Sequence, residues 1–346
     1  MTSNVPLVFL LLSVAATHFA AAQTPAPQPT PSIVYLVHNA GAIKRYKTDP
    51  ALVRAMVNRL VTAATNQRDV ASAWNSLIGP KDKIGIKISA VGGEIFTTHR
   101  DVVEAIVEGL VAAGHVRDQI IVWDRSLGGA TEAGYRAEGY RLVSISPQNG
   151  YDPKTTITSS LAGKLIWGDL DYLPRTSALL PDTENTSTVS HVARILREVT
   201  KVINVPVMSD SETNGIAGCI YNMTVPNIDN WRRFTQAGPF GTSSLAEIYN
   251  DPVIGKKVVL NVVDGLIAEY AGGPAARPNY QIDHATLYAS RDPVALDSVM
   301  LRKISEWRAR ASLPPLAERA AHVTAAAQFG LGNADPHDII VRDLSP

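Results

Sequence analysis

The chain has 346 residues, is 45% hydrophobic and 18% charged, and balances 32 Lys and Arg against 32 Asp and Glu for a formal net charge of zero. That composition suits burial of a sizeable core rather than disorder, and it lacks the basic stripe or like-charge run that nucleic acid or an anionic membrane requires, so no nucleic-acid partner is expected. A single cysteine, Cys219, permits no internal disulfide and excludes a protein-borne iron–sulfur cluster or thiolate zinc site, both of which need several Cys ligands.

At the amino end, the uncharged run Val5 to Ala16 followed by Ala20-Ala21-Ala22 predicts a secretory signal over residues 1–22, with a buried N-terminal helix as the alternative. The n-region carries no Lys or Arg, and the run is too short to span a bilayer, so no transmembrane segment is expected after cleavage. Residues 23–31, with TPAPQPTP, read as a Pro-rich linker. The folded part then reads as a single α/β domain over 32–346.

Ile33 to Val37 suits a strand, and Asp49-Pro50 opens a helix with apolar residues at Leu52, Met56, Leu60 and Val61, Asp as N-cap and Pro at the first helical position. A second helix is expected over Asp69 to Leu77, and a strand over Lys83 to Ile88. Val102, Val103, Ile106, Val107, Leu110 and Val111 recur at helical spacing up to Gly114, and Gln119 to Trp123 follows as a strand, which makes a right-handed βαβ unit with parallel strands. From Leu127 to about Ser190 the periodicity dissolves, with short islands such as Leu165 to Trp167, and this stretch reads as a long irregular surface insertion, either an excursion over the site or a mixed region of short strands. The second half resumes with a helix near His191 to Glu198 and strands over Lys201 to Val207, Lys257 to Val263 and Ala285 to Ala289. Asp292-Pro293 repeats the helix opening, an alanine-rich helix spans Leu316 to Phe329, and Asp338 to Arg342 is a last strand. This order predicts an α/β layered fold, a mostly parallel sheet flanked by helices.

In open parallel sheets ligands bind beyond the carboxyl ends of the strands, so residues just after each apolar run are the candidates. In GGEIFTTHRD, Thr98 with Asp101 three residues on predicts a capping box. Alternatively Gly92 and Gly93 let backbone approach a ligand while His99 and Arg100 attract an anion at the helix start. Asp124-Arg125 reads either as a self-satisfied ion pair or as a ligand contact, Asp264-Gly265 as a turn, and Asp292 as a helix cap that leaves Arg291 the freer group. Asp124, Asp264 and Asp292 could together gather a hard cation, though no EF-hand spacing occurs. His38 at the end of the first strand is a further candidate partner for His99, or simply a satisfied structural histidine. Asn204 and Asn222 sit in apolar surroundings and must either knit loops together or hold a ligand. Cys219 reads as a buried inert thiol. Neither the G-x-S-x-G nor the H-E-x-x-H pattern occurs. The Asn-x-Ser/Thr sequons at Asn185 and Asn222 matter only in a host that glycosylates secreted proteins.

Six stretches taken in order, GIKISAVGGEIFTTHRDVVEAIVEGLVAAGHVRDQIIVWDR, VINVPV, GIAGCIYN, NVVDGLIAEYAGGP with YASRDPVALD, and FGLG, resemble the uncharacterised family called domain of unknown function 362 over roughly residues 80–340. The resemblance implies an α/β fold, frequent export in bacteria, and in many members an attached ferredoxin-like iron–sulfur module that this chain, with one cysteine, does not carry. Many relatives place Lys and His after the INVPV-like strand and a Lys before the Asn that follows the Gly-rich run. Here those places hold Ser209, Ser211 and Tyr221. A fainter similarity links the strand, Thr-His and helix arrangement to the amino-terminal part of nickel-pincer lactate racemases.

The resulting expectation is an exported protein, secreted or periplasmic, that binds a small anionic ligand or a metal ion in a polar cleft at the strand carboxyl ends. The cleft would be lined by Gly92, Gly93, Thr98, His99, Arg100, Asp124, Arg125, Asn204, Asn222, Asp264 and Arg291, with cofactor and oligomeric state open. The alternative is a metal- or cofactor-assisted isomerase or oxidoreductase acting on a small organic acid, with His99 or Asp124 moving the proton. A third reading, an interaction protein, would rest on the insertion.

Overall fold

The computed structural model describes residues 30–137, 139–158, 189–235 and 239–346. The signal segment 1–22, most of the linker, Leu165 to Trp167 and Asn185 lie outside the described residues. Pro31–Pro346 is one compact unit.

The strands are β1 (Ser32–His38), β2 (Ile43–Lys44), β3 (Lys47–Thr48), β4 (Ile84–Ile88), β5 (Ile121–Asp124), β6 (Arg141–Ser144), β7 (Tyr151–Thr158), β8 (Val189–Ala193), β9 (Lys201–Val205), β10 (Val207–Ser211), β11 (Gly215–Ile216), β12 (Val258–Glu269), β13 (Gln281–Ser290) and β14 (Ile339–Asp343). The described α-helices are α1 (Pro50–Thr65), α2 (Val70–Leu77), α3 (Gly93–Phe96), α4 (Arg100–Ala112), α5 (Gly128–Glu132), α6 (Ile195–Glu198), α7 (Cys219–Thr224), α8 (Pro239–Tyr249), α9 (Pro293–Arg310) and α10 (Ala321–Gln328).

The main sheet runs β14-β1-β13-β12-β9-β4-β5-β6, with β10 beside the far half of β12. Its pairings are parallel except those of β13, which is antiparallel to both β1 and β12, and the short antiparallel pair β10–β11. Helices cover both faces. Val53, Met56, Trp74, Val102 and Ile106 pack with Ile86, Ile203 and Leu260 on one side, and Cys219, Met223, Leu245, Leu296 and Met300 pack with Trp123, Val202 and Val263 on the other. Strands buried on both faces need near-continuous apolar runs, which is why β4, β9 and β12 were legible. Asp49 and Asp69 cap α1 and α2 as their Asp-led openings predict.

Several local expectations are corrected. The capping box is absent: the N-cap of α4 is His99, with no side-chain cap bond. Thr98 is instead buried, donating to the Val205 carbonyl at 2.8 Å and accepting from the Ser89 amide at 2.9 Å, while Asp101 accepts from Thr48. Tertiary partners took both side chains away from the helix end. Asp264-Gly265 is not a turn; β12 continues through it to Glu269, with a bulge between Gly265 and Ile267. The strand expected over Lys201 to Val207 is two strands, β9 and β10, broken at Pro206, which has no amide hydrogen for the ladder. A helix begins only at Ile195, because Val189–Ala193 is a strand paired with β7. Within the stretch read as irregular, β6 joins the main sheet beside β5.

Candidate functional site

A polar row crosses the sheet on the face covered by α7. Trp123, Lys87, Asn204, Asn261 and Ser290 are successive partners across β5, β4, β9, β12 and β13. Lys87 is fully buried, and its ammonium donates to Asp124 Oδ1 at 2.7 Å, Asn222 Oδ1 at 3.0 Å and the Ile88 carbonyl at 2.6 Å. All three ammonium protons are used. Burial pushes the Lys87 ammonium below its ordinary value, and the Asp124 carboxylate pulls it back up. Asp124 also accepts from the Arg125 amide at 2.7 Å and, through Oδ2, from the Ala90 amide at 2.7 Å. Asn222 donates to Asn204 Oδ1 at 2.8 Å, and Asn204 donates to Asn261 at 2.9 Å and to the Cys219 carbonyl at 3.0 Å. Such a connected set holds together because each buried polar group meets a partner whose loss would leave an uncompensated dipole or charge.

This row fixes α7 over the carboxyl ends of β4 and β5. The buried Asp297 carboxylate of α9 holds the start of α7, accepting from the Cys219 amide at 2.6 Å and the Ile220 amide at 3.0 Å. Above the row opens a cleft of about 400 Å³, lined by Ala90, Val91, Asp124, Arg125, Ser126, Gly129, Tyr221, Val225, Pro226, Trp231 and Pro274. The Arg125 guanidinium lies 4.7 Å from the Trp231 ring centroid, a cation–π contact. Burial raises the Tyr221 phenol well above its ordinary value, opposed by Arg125, so it remains a protonated donor. The walls are chiefly apolar, with the polar groups gathered at the Asp124, Arg125 and Tyr221 end.

The expected residues separate into groups. Asp124 and Arg125 line the cleft. Asn204 and Asn222 lie beneath it, their amides engaged within the protein, and Asn222 is 3% exposed. His99 at the start of α4 and Asp264 in the middle of β12 form a separate pair: Asp264 Oδ2 accepts from the His99 amide at 2.6 Å and contacts its Nδ1 at 2.8 Å. Burial disfavours the imidazolium, but the Asp264 carboxylate outweighs it and raises the His99 pKa; Nε2 is buried without a partner. Arg100 is exposed and pairs with Glu104 at 3.6 Å. Gly92 and Gly93 fold on themselves, since a Cβ at Gly92 would lie 2.1 Å from the Phe96 carbonyl oxygen.

Arg291 is not brought to the cleft. Because β13 runs antiparallel, its end lies at the amino edge of the parallel strands, where Arg291 lines a depression of about 250 Å³. Asp292 there caps α9 through the Ala295 amide at 2.9 Å, so the three aspartates do not converge. Among the described residues no group of three or more His, Cys, Asp or Glu is placed to hold a metal. His38 contacts Thr286 rather than His99. A second cavity of about 430 Å³, lined by Lys81, Asp82, Lys83 and His115, also lies at the amino edge. Ser209 and Ser211 are buried, and Tyr221 faces the cleft.

Lys87 was missed by sequence reading. Its signal is a lysine inside the apolar run IGIKI, where an unpaired charge would cost several kcal/mol. Trp231 and Pro274 gave no local signal.

The fold and site define a three-layer α/β protein with a cleft at the carboxyl edge of its parallel strands, built over a buried Lys–Asp–Asn network. Residues 84–302 match the family described as Domain of unknown function (DUF362), and the chain belongs to that family. No curated protein matches it. An iron–sulfur module does not fit this donor set, whose one thiol, Cys219, is buried and held protonated by burial and the neighbouring Asp297. No helix among the described residues is long and apolar enough to cross a membrane.

Proposed function

We propose that the protein binds a small organic anion in the cleft at the carboxyl ends of β4 and β5. The observation that carries this reading is the division of the cleft: apolar walls from Val91, Val225, Pro226, Trp231 and Pro274, and a polar end from Arg125 and Tyr221. A carboxylate or phosphate meets the Arg125 guanidinium and the Tyr221 hydroxyl, while an apolar body replaces water against the walls. The Lys87–Asp124 pair positions Arg125 and α7; with its donors and acceptors occupied, it serves as a floor rather than a contact. Signal-directed export to the periplasm or beyond belongs to the same proposal and rests on the amino-terminal apolar run.

A thermal-shift screen of the mature protein with organic acids, phosphate esters, sugars, nucleotides and divalent metals tests the reading, because a ligand that prefers the native state raises its stability. Anions with an apolar body should shift the wild type, and the shift should vanish in Arg125→Gln and shrink in Trp231→Ala. No shift with any acid or ester refutes it. A second reading, turnover of a small organic acid in which His99 moves a proton, draws on the His99–Asp264 pair and its unpartnered Nε2. It requires a bound acid to be altered on incubation, and His99→Gln to abolish that change.

A further inference from the structure

The hairpin β2–β3 carries three cations in four residues, Lys44, Arg45 and Lys47 around Tyr46, an excess that the chain's net charge of zero conceals. All four residues are exposed, Tyr46 by 51%. Among the described residues, none of the three cations has an ion pair or a side-chain hydrogen bond. The register sets Lys44 directly opposite Lys47, and like charges at opposed positions of an antiparallel pair repel and destabilise it. The turn adds backbone strain: Arg45 and Tyr46 have φ of 51° and 63°, left-handed conformations that two-residue hairpins normally give to Asn-Gly.

The base of the hairpin holds this arrangement in place. Ala42 and Ile43 are buried, the Asp49 amide donates to the Ala42 carbonyl at 2.9 Å, and Thr48 donates to Asp101 of α4. Beside the hairpin lies a depression of about 610 Å³ lined by all three cations together with Thr48 and Asp49. It shares no lining residue with the cleft at Arg125 and Trp231. Its one acid is already engaged: Asp49 Oδ1 accepts from the Ala51 and Leu52 amides at 2.9 and 3.0 Å. The first amides of α1 are thereby taken, and any pull on an anion comes from the side chains. Three cations against one carboxylate leave two positive charges at the depression.

We propose that the β2–β3 hairpin is a second anion site, one that takes a phosphate group. A phosphate monoester carries close to two negative charges at neutral pH, which matches the excess at the depression, whereas a carboxylate carries one. The Arg45 guanidinium can bond two phosphate oxygens at once, and Lys44 and Lys47 supply point charges. A phosphate between the lysines replaces their mutual repulsion with two attractions, and residues held in sparsely populated backbone conformations are characteristic of ligand clamps. A free phosphate and the headgroup phosphates of an anionic membrane offer the same chemistry; at a membrane the exposed Tyr46 ring suits the interfacial zone. The site does not depend on the cleft reading.

Two measurements on the mature protein at low ionic strength separate these sources. Titration calorimetry with inorganic phosphate and pyrophosphate reads the free anion, and co-sedimentation with vesicles of phosphatidylcholine, with and without phosphatidylglycerol, reads the membrane. Binding is expected in at least one of the two, with phosphatidylcholine alone inert. Lys44→Gln/Arg45→Gln/Lys47→Gln should weaken it on the order of 100-fold, about fivefold for each charge removed. Lys81→Gln/Lys83→Gln/Lys154→Gln removes the same charge elsewhere on the surface and should leave binding nearly unchanged. Arg125→Gln should retain it, which separates this site from the cleft. Arg45→Asn/Tyr46→Gly guards against loss of fold, because it suits the left-handed turn; it should raise the melting temperature and still weaken binding about fivefold. No binding in either measurement overturns the proposal, as does binding that survives the first triple substitution or falls equally in the second.

Discussion

Replacing Lys87 with Met is the sharpest perturbation of the site. Methionine matches the aliphatic stem and removes the ammonium, so three interactions disappear together, those with Asp124, Asn222 and the Ile88 carbonyl. The carboxylate of Asp124, 2% exposed, is then left with amide donors and no counter-charge. Removing one partner of a buried pair costs about 3 to 5 kcal/mol, a large part of the roughly 5 to 15 kcal/mol that separates native from unfolded chains. Urea unfolding followed by circular dichroism should show a lower midpoint at unchanged slope, and the melting temperature should drop by roughly 10 °C. Lys87→Met combined with Asp124→Asn should recover part of the loss, because the stranded charge is gone, and the double-mutant cycle should yield a coupling of about 1 to 3 kcal/mol. A single-variant loss below about 1 kcal/mol, or strict additivity, would refute the view that a charged pair supports the cleft floor.

Other consequences are smaller and distinct. Thr98→Val removes a buried hydroxyl that bridges β4 and β9 and should cost about 1 to 3 kcal/mol by chemical denaturation, even though no cap is lost. The raised pKa of His99 means that its pairing with Asp264 stabilises fully below the unfolded value of 6.5 and fades as pH rises through the higher folded value; His99→Gln should lose that part of the stability-versus-pH curve and nothing above it. Asp297 has the same sign over a more acidic window, since burial lifts it from 3.8 to about 7 despite the Ile220 and Cys219 amides. The folded state then holds a proton that the unfolded state has released, so stability should fall as pH rises between those values, and Asp297→Asn should flatten that slope. Tyr221→Phe should leave stability nearly unchanged while weakening any anion found by thermal shift, as the phenol makes no hydrogen bond among the described residues and lines the cleft.

Much of the fold was legible because its signals are local. The apolar runs of β1, β4, β5 and β12, the Asp-Pro starts of α1 and α9, and the stripe of α4 follow from strand burial, capping and helical period, all set by residues near in sequence. The rule that ligands meet the carboxyl ends of parallel strands pointed to Asp124 and Arg125, which line the cleft. It failed at Arg291, because the direction of β13 depends on which strands it pairs with, and no residue in DHATLYAS announces that. Thr98 and Asp101 have the spacing of a capping box, yet Val205, Ser89 and Thr48 compete for the same atoms and win by proximity across the fold. Lys87 passed unnoticed in the sequence, because its partners Asp124 and Asn222 come from other elements. Periodicity and caps were thus determined by the sequence alone, through short-range sterics and hydrogen bonding. Which polar groups find one another and where the cleft opens were decided only by tertiary packing, because the partners lie tens to hundreds of residues apart.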